Sequence, residues 1–229
     1  MVANIIHEQF VIIEGVCLNF QVRCCMKISL FSLGFGLFLL SSSVGCGAGT
    51  AAVTYDLPAH SDMSGVKLVD SLAKRHTTRN FDMNKPISDQ VLSDLLWSAW
   101  GINRADGKRT VPTAMNKQDV ELYVCKSDGV WRYIAEDNVL LQVSDKDMRV
   151  GQMTKSPLTF VYAGLNERFA GMHAGSMYQS ASLCAAAYGL GDVVIYSPVE
   201  KLQGHFPVKE GYKVVVAQSF GWPAAEAKR

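Results

Sequence analysis

The stretch SPLTFVYAG, residues 156 to 164, carries no charged side chain. A strand that is apolar at every position has to be covered on both faces, because otherwise every second side chain would meet water. It therefore belongs inside a sheet with a layer on either side. The next segment narrows the choice. HAGSMYQSASLCAAAYGLG (173 to 191) reads as a long helix rich in small residues, closed by Gly189 or Gly191. Small side chains let another backbone approach, so this helix is central or touches a partner chain. DVVIY and YKVVVAQSF supply two more strands, with a short helix around Pro198 to Leu202 between them.

Upstream, helical spacing begins near Gly65, with Val66, Val69 and Leu72 along one side. Ser88 is a good N-cap for DQVLSDLLWSAWG, where Val91, Leu92, Leu95, Leu96 and Ala99 form an apolar stripe and Gly101 ends the helix. DVELYVC alternates as a strand with Val120, Leu122 and Val124 on one face, and KSDG joins it to VWRYI as a β-hairpin. Residues 137 to 156 show no clear pattern. Helices interleave with strands throughout, which predicts an α+β sandwich.

The chain has 229 residues, 48% hydrophobic and 19% charged, with a formal net charge of +1. That fits one domain, expected over residues 64–224 with a tail at 225–229, and argues against bulk electrostatic binding of nucleic acid. Of the six cysteines only Cys125 and Cys184 fall in this domain, as buried structural thiols, and no metal-ligand spacing accompanies them. His60, His173 and His205 are scattered singles, expected as surface or satisfied polar groups rather than ligands. Trp97, Trp100, Trp131 and Trp222 are expected in the core or at a dimer contact.

MKISLFSLGFGLFLLSSSVGC (26–46) has the layout of a secretory signal peptide, with an apolar run too short for a comfortable membrane span. Export, to the periplasm or a membrane-anchored state, is the expectation. Translation is then expected to start at Met26, leaving residues 1–25 as a mis-assigned extension; a longer signal or an N-terminal anchor is the alternative. SVGC resembles a bacterial lipoprotein signal with Cys46 as the lipidated residue, although Ser43 stands where a bulky aliphatic is usual. Ordinary cleavage within AGTAA competes with it. Residues 47–63 read as a linker with an irregular lead-in to the domain.

Chemistry concentrates in KRHTTRNF (74–81). If a helix ends near Lys74 and the chain leaves it extended, Arg75, Thr77 and Arg79 share one side, with His76 and Thr78 on the other. Two fork-shaped donors and a hydroxyl along one edge suit a phosphate or another anionic acceptor. A basic helix end complementing the dipole is the competing reading, and spacing alone favours it. In GKRTVPTAMNKQDVELYV (107–124), Thr113 and Asn116 present a hydroxyl and an amide where a strand opens, which suits a heterocycle edge or ordinary turn chemistry.

Together these stretches resemble a family. Flavin-dependent nitroreductases open with a pattern close to R-R-S-x-R-x-F/Y, matched by Arg75-His76-Thr77-Thr78-Arg79-Asn80-Phe81. They carry P-S-x-x-N-x-Q at the mouth of a strand, matched by Pro112-Thr113-Ala114-Met115-Asn116-Lys117-Gln118. A small-residue helix ending in G-L-G matches residues 179–191, and Gly221-Trp222-Pro223 stands for the terminal G-Y-P. LLWSAWGINRADGKRTVPTAMN looks like an exported subgroup often filed with SagB-type dehydrogenases.

The resemblance implies a nitroreductase-like sandwich, with a central mixed β-sheet flanked by helices, in an intertwined homodimer with FMN at the subunit interface. Arg75, His76, Thr77 and Arg79 would hold the phosphate and the pyrimidine edge. Pro112, Thr113, Ala114, Asn116 and Gln118 would come from the partner chain or line the ring, and Leu190 and Gly191 would approach with backbone groups. The flavin carries the chemistry, so neither a catalytic residue in the strict sense nor a metal is expected. The implied activity is transfer of hydride from NAD(P)H or another donor to nitro or quinone-like acceptors. Alternatives are a dehydrogenase for an unknown substrate and a flavin-binding protein without turnover. His76 departs from the family's second Arg, and Val194-Ile195-Tyr196 offers no further basic group for a phosphate.

Overall fold

The computed structural model describes residues 52–63, 65–149, 155–165, 167–196, 202 and 204–225. The expected extension and signal, and most of the tail and of the short helix around 198–202, lie outside these residues. In chain order the elements are β1 (Thr54–Asp56), α1 (Leu68–Lys74), α2 (Asp89–Trp100), β2 (Val120–Lys126), β3 (Gly129–Ile134), β4 (Val139–Ser144), β5 (Leu158–Gly164), α3 (Glu167–Tyr188), β6 (Gly191–Ile195) and β7 (Lys213–Gly221).

The strands form one seven-stranded sheet in the order β1-β4-β3-β2-β5-β7-β6. The apolar run is β5, near the middle, and all seven of its residues are buried. Leu158, Phe160 and Tyr162 join the large core beneath α2 and α3, while Val161 and Ala163 face a smaller core on the other side with Phe206. Neighbouring strands obey the same alternation: Leu122 and Val124 of β2 lie on the helix side, Tyr123 and Cys125 opposite. Phe160 has no exposed surface, so truncation to Ala costs about 3–5 kcal/mol.

The α+β sandwich is the expected one, with one correction. The sheet was expected to be mixed, yet every pairing between its strands is antiparallel. β5 and β6, joined by α3, do run parallel, but β7 inserts antiparallel between them. Among the described residues the parallel pairing that occurs is the isolated bridge Thr77–Asp192.

Local signals act as read. Ser88 Oγ accepts from Val91 N–H at 3.4 Å to cap α2. Gly129 closes the β2–β3 hairpin at φ +138°, and a Cβ there would stand 2.3 Å from the Ser144 carbonyl oxygen. Gly189, at φ +78°, ends α3. Two strands escape the sequence reading. β4 occupies part of the patternless stretch, and β1 forms within the expected linker, pairing with β4 from Thr54–Leu141 to Asp56–Val139. The residues after β1 are fastened to α2, where Ser93 Oγ donates to Pro58 O at 2.5 Å.

The expected stripe on α1 exists but faces outward. Leu68 is 64%, Val69 65% and Leu72 51% exposed, and Ser71 is the helix's buried residue. Trp100 and Trp131 are core residues, Trp97 stacks on His60 at 4.0 Å between centroids, and Trp222 Nε1–H donates to Pro86 O. Cys125 and Cys184 are buried free thiols, and burial pushes the Cys184 thiol up to about 12.

Candidate functional site

The 74–81 segment leaves α1 in extended form, as read from sequence. Arg75 has ψ 119° and its N–H returns to Ser71 O at 2.9 Å, closing the helix. Thr77 bridges to Asp192, and Thr78 N–H donates to Asp192 O at 2.8 Å. Phe81 then pairs with Pro223, with Asp82 N–H donating to Trp222 O at 2.8 Å. The segment is thus moored by backbone bonds where β6 begins and β7 ends. Gly191 makes this approach possible, since Thr78 fills the space its side chain would take. Beneath lies a buried polar network: Asp192 Oδ2 accepts from Ser182 Oγ at 2.7 Å and from Gln218 Nε2 at 2.8 Å. Tyr162, whose burial raises its pKa well above the ordinary phenol value, donates to Gln218 Oε1 at 2.6 Å.

Side-chain roles divide here. His76 Nδ1–H donates to Lys74 O at 2.8 Å, so the imidazole serves the helix end. Among the described residues the Arg75 and Arg79 guanidiniums have no hydrogen-bond or carboxylate partner. The helix end is therefore satisfied by His76 and the Arg75 N–H, and both forks remain available to an external acceptor. Thr77 is exposed beside them, whereas Thr78 Oγ1 is buried with no hydrogen-bond partner among the described residues. Leu190 adjoins this end of the sheet, but its side chain is 5% exposed and its N–H goes to Ala185 O, so it has only a carbonyl to offer.

The 112–118 loop is a tight, left-handed structure. A 3-10 turn spans Ala114–Asn116, and Met115, Asn116 and Gln118 have φ of 52°, 52° and 48°. Non-glycine residues avoid this region unless their surroundings enforce it. Gln118 supplies part of that enforcement. Its N–H donates to Thr113 Oγ1 at 3.3 Å, its Nε2 to Asn116 Oδ1 at 3.2 Å and to Gly107 O at 3.3 Å. Its Oε1 accepts from Arg109 Nε at 2.8 Å, so Gln118 braces the loop rather than facing outward. Arg109 also pairs with Glu136 at 2.6 Å and lies over Trp100. Pro112, Met115 and Asn116 are exposed, with Thr113 and Ala114 half-buried.

Arg109 and His173 were not singled out from sequence as parts of this loop. His173, 3% exposed, accepts the Ala114 N–H at Nε2 from α3, 59 residues away. No spacing rule links such positions; Arg109 at least sat inside the quoted loop.

Strand register separates the two clusters. The loop leads into Val120, which pairs with Gly164 at the end of β5, itself paired with Lys213 at the start of β7. The arginine segment adjoins Gly191, which pairs with Gly221 at the end of β7, next to the Leu158–Phe220 pair that starts β5. The seven residues of β5 span about 20 Å at ~3.3 Å each. Arg75, Thr77, Arg79, Leu190 and Gly191 are therefore together at one end of the sheet, and Pro112, Thr113, Ala114, Asn116 and Gln118 together at the other.

A solved nitroreductase structure from Ralstonia eutropha JMP134 is similar to this chain at 30% identity and a TM-score of 0.71, covering 78% of this chain and 93% of that one. A curated nitroreductase relative from Methanocaldococcus jannaschii is 28% identical over 160 residues, 58% of this chain and 80% of its own length. A nitroreductase from Desulfovibrio desulfuricans, solved in complex with FMN, shares the fold at a TM-score of 0.51 and 16% identity, covering 72% of this chain and 92% of that one. The family model described as Nitroreductase family matches residues 72–222, a span that takes in both clusters, and the chain belongs to that family of oxidoreductases.

Proposed function

We propose that the chain is an FMN-dependent oxidoreductase working as a homodimer, each flavin site combining the Arg75–Arg79 segment of one protomer with the 112–118 loop of the other. The observation that carries this reading is the register: the clusters stand at opposite ends of one sheet, too far apart to line one ring-sized pocket within a chain. A second copy supplies the missing half. The outward stripe of α1 supports the same arrangement. Val66, Leu68, Val69 and Leu72 are all exposed, and Val66 and Leu68 line a groove of about 390 Å³ with Met63, Trp97, Leu183 and Ala187. An apolar face of this kind marks an interface, and burying each Leu or Val is worth about 1.5–3 kcal/mol.

The residues fit the cofactor. Two guanidinium forks without a partner among the described residues, and the exposed Thr77, suit the ribityl phosphate and the pyrimidine edge. The Asn116 amide nitrogen, with no bond of its own among the described residues, offers donors from the partner loop, where Pro112, Thr113 and Ala114 line the ring. Bound FMN supplies the two-electron chemistry, carrying hydride equivalents from NAD(P)H or another donor to a nitro or quinone-like acceptor. The protein's share is binding, orientation and electrostatics: a fixed guanidinium at the pyrimidine edge favours the negative charge that gathers there on reduction. We take the mature protein to be exported, on the sequence of residues 26–46, with Cys46 as a lipid attachment point. A donor that reaches the site outside the cytoplasm is then required.

The absorbance spectrum of the purified protein tests the proposal. Flavin bands that bleach under NADH or dithionite without oxygen, and return on adding a nitroaromatic or a quinone, are expected. A colourless protein that refuses added FMN contradicts it.

A further inference from the structure

The 112–118 loop holds three non-glycine residues in left-handed conformations, and most of the bonds that enforce this come from the loop and its own approach. The bond between Gln118 Nε2 and Asn116 Oδ1, and that between Gln118 N–H and Thr113 Oγ1, would move with the loop if it moved. His173 is different. It projects from α3, which packs against the sheet, and its ring is buried and stacked near Phe169 with an interplanar angle of 22°. One ring nitrogen, Nε2, accepts the Ala114 N–H at 2.7 Å. The other, Nδ1, stands 3.0 Å from Asp119 Oδ1. Asp119 is in turn fixed by its carbonyl, which accepts Leu165 N–H at 3.0 Å just past β5.

One imidazole thus spans the base of the loop, touching its first turn at Ala114 and the residue just beyond it, Asp119. The bonding also assigns the proton. A nitrogen that accepts from a backbone N–H carries no hydrogen, so the ring is neutral, with its proton on Nδ1 donated to the carboxylate. An imidazolium, with donors at both nitrogens, has nothing to offer Ala114.

We propose that His173 is a positioning residue whose neutral imidazole clasps residues 114 and 119 and so holds the 112–118 loop in the shape with which, on the flavin reading above, it meets the cofactor. It touches no substrate itself. Removing the clasp frees the turn to relax from its left-handed conformations, and the loop then meets the flavin from a broader set of shapes.

Amide hydrogen exchange on the full chain tests this, read at Ala114 with Phe160 of β5 as the internal reference. Loss of one hydrogen bond in His173→Phe is expected to speed Ala114 exchange about tenfold or more while Phe160 keeps its rate. His173→Gln keeps one acceptor and one donor on its amide and is expected to return Ala114 to within about threefold of wild type. FMN affinity should follow the same order, with the Phe variant weaker by about tenfold. Equal Ala114 exchange in wild type and the Phe variant overturns the proposal, as does a Gln variant no better than Phe, or FMN affinity unchanged in the Phe variant. Should the Phe variant fail to fold, the ¹⁵N shifts of His173 in the wild-type protein decide: protonated Nδ1 with bare Nε2 supports the clasp, and a proton on Nε2 overturns it. If the wild-type chain binds no FMN, the flavin reading fails, and the exchange measurements still decide the clasp.

Discussion

Thr78 packs on Gly191 so closely that a Cβ on residue 191 would stand 2.5 Å from the Thr78 Cβ and 2.7 Å from its Oγ1. The contact is what lets the arginine-bearing segment reach the Asp192 carbonyl and hydrogen-bond to it. Its geometry makes Gly191 a steric requirement, since the nearest atom is the Thr78 Cβ, which rotation of that side chain does not move.

Gly191→Ala should therefore push the segment off the sheet end. Overpacking of this kind costs about 1–3 kcal/mol, and the displaced arginines should weaken FMN binding by about tenfold or more. Thermal unfolding and a flavin titration measure the two effects. An alanine variant that binds FMN as wild type does would show that the segment's position is not critical.

Arg79→Ala should split binding from stability. In the single chain its guanidinium is exposed and makes no hydrogen bond to a described residue, so the fold should change by no more than about 0.5 kcal/mol. A lost charge-assisted bond to phosphate or to the ring edge weakens FMN binding by about 10- to 100-fold. Equilibrium dialysis with FMN, beside a denaturant titration, checks both. Unchanged affinity would leave Arg79 with no part in holding the flavin.

Asp94 should govern acid stability at the other side of α2. Burial by itself would raise its pKa, but hydrogen bonds from Ser61, Tyr188 and Gln90 outweigh that and hold the carboxyl below the usual range. Ser61 contributes both its N–H, at 2.7 Å, and its Oγ, at 2.5 Å. A depressed folded-state pKa gives stability that is present above the unfolded value of about 3.9 and lost as pH falls through the folded one. The melting temperature of wild type should thus exceed that of Asp94→Asn at pH 7, and the gap should close below about pH 4. A gap that stays constant from pH 7 to pH 3 would assign the difference to something other than this titration.

Sequence made the layered core legible because its signals are local. The apolar run of β5, the stripe and Ser88 cap of α2, the KSDG hairpin and the Gly189 stop each act within a few residues. β1 and β4 were not legible, as one is three residues long and the other is largely half-buried, leaving neither a strong period nor a continuous apolar run. At the candidate site the arginine segment was readable as an extended edge, but not the capture of His76 by the Lys74 carbonyl. His173 and Arg109 brace the loop through tertiary contacts that no spacing reports. The separation of the two clusters follows from strand register, which depends on pairing across the whole sheet.

On that separation rests the shared flavin site, and subunit mixing tests it most directly. Homodimers of Arg79→Ala and of Asn116→Ala should each bind FMN weakly at both sites. In the heterodimer formed by co-expressing them, one site receives both intact residues and the other receives neither. The purified heterodimer is expected to bind about one FMN per two chains with wild-type affinity, since a two-fold assembly places two equivalent sites across its interface. A heterodimer with no wild-type site, weakened equally at both, would mean that Arg79 and Asn116 serve the flavin from the same chain and would contradict the shared site.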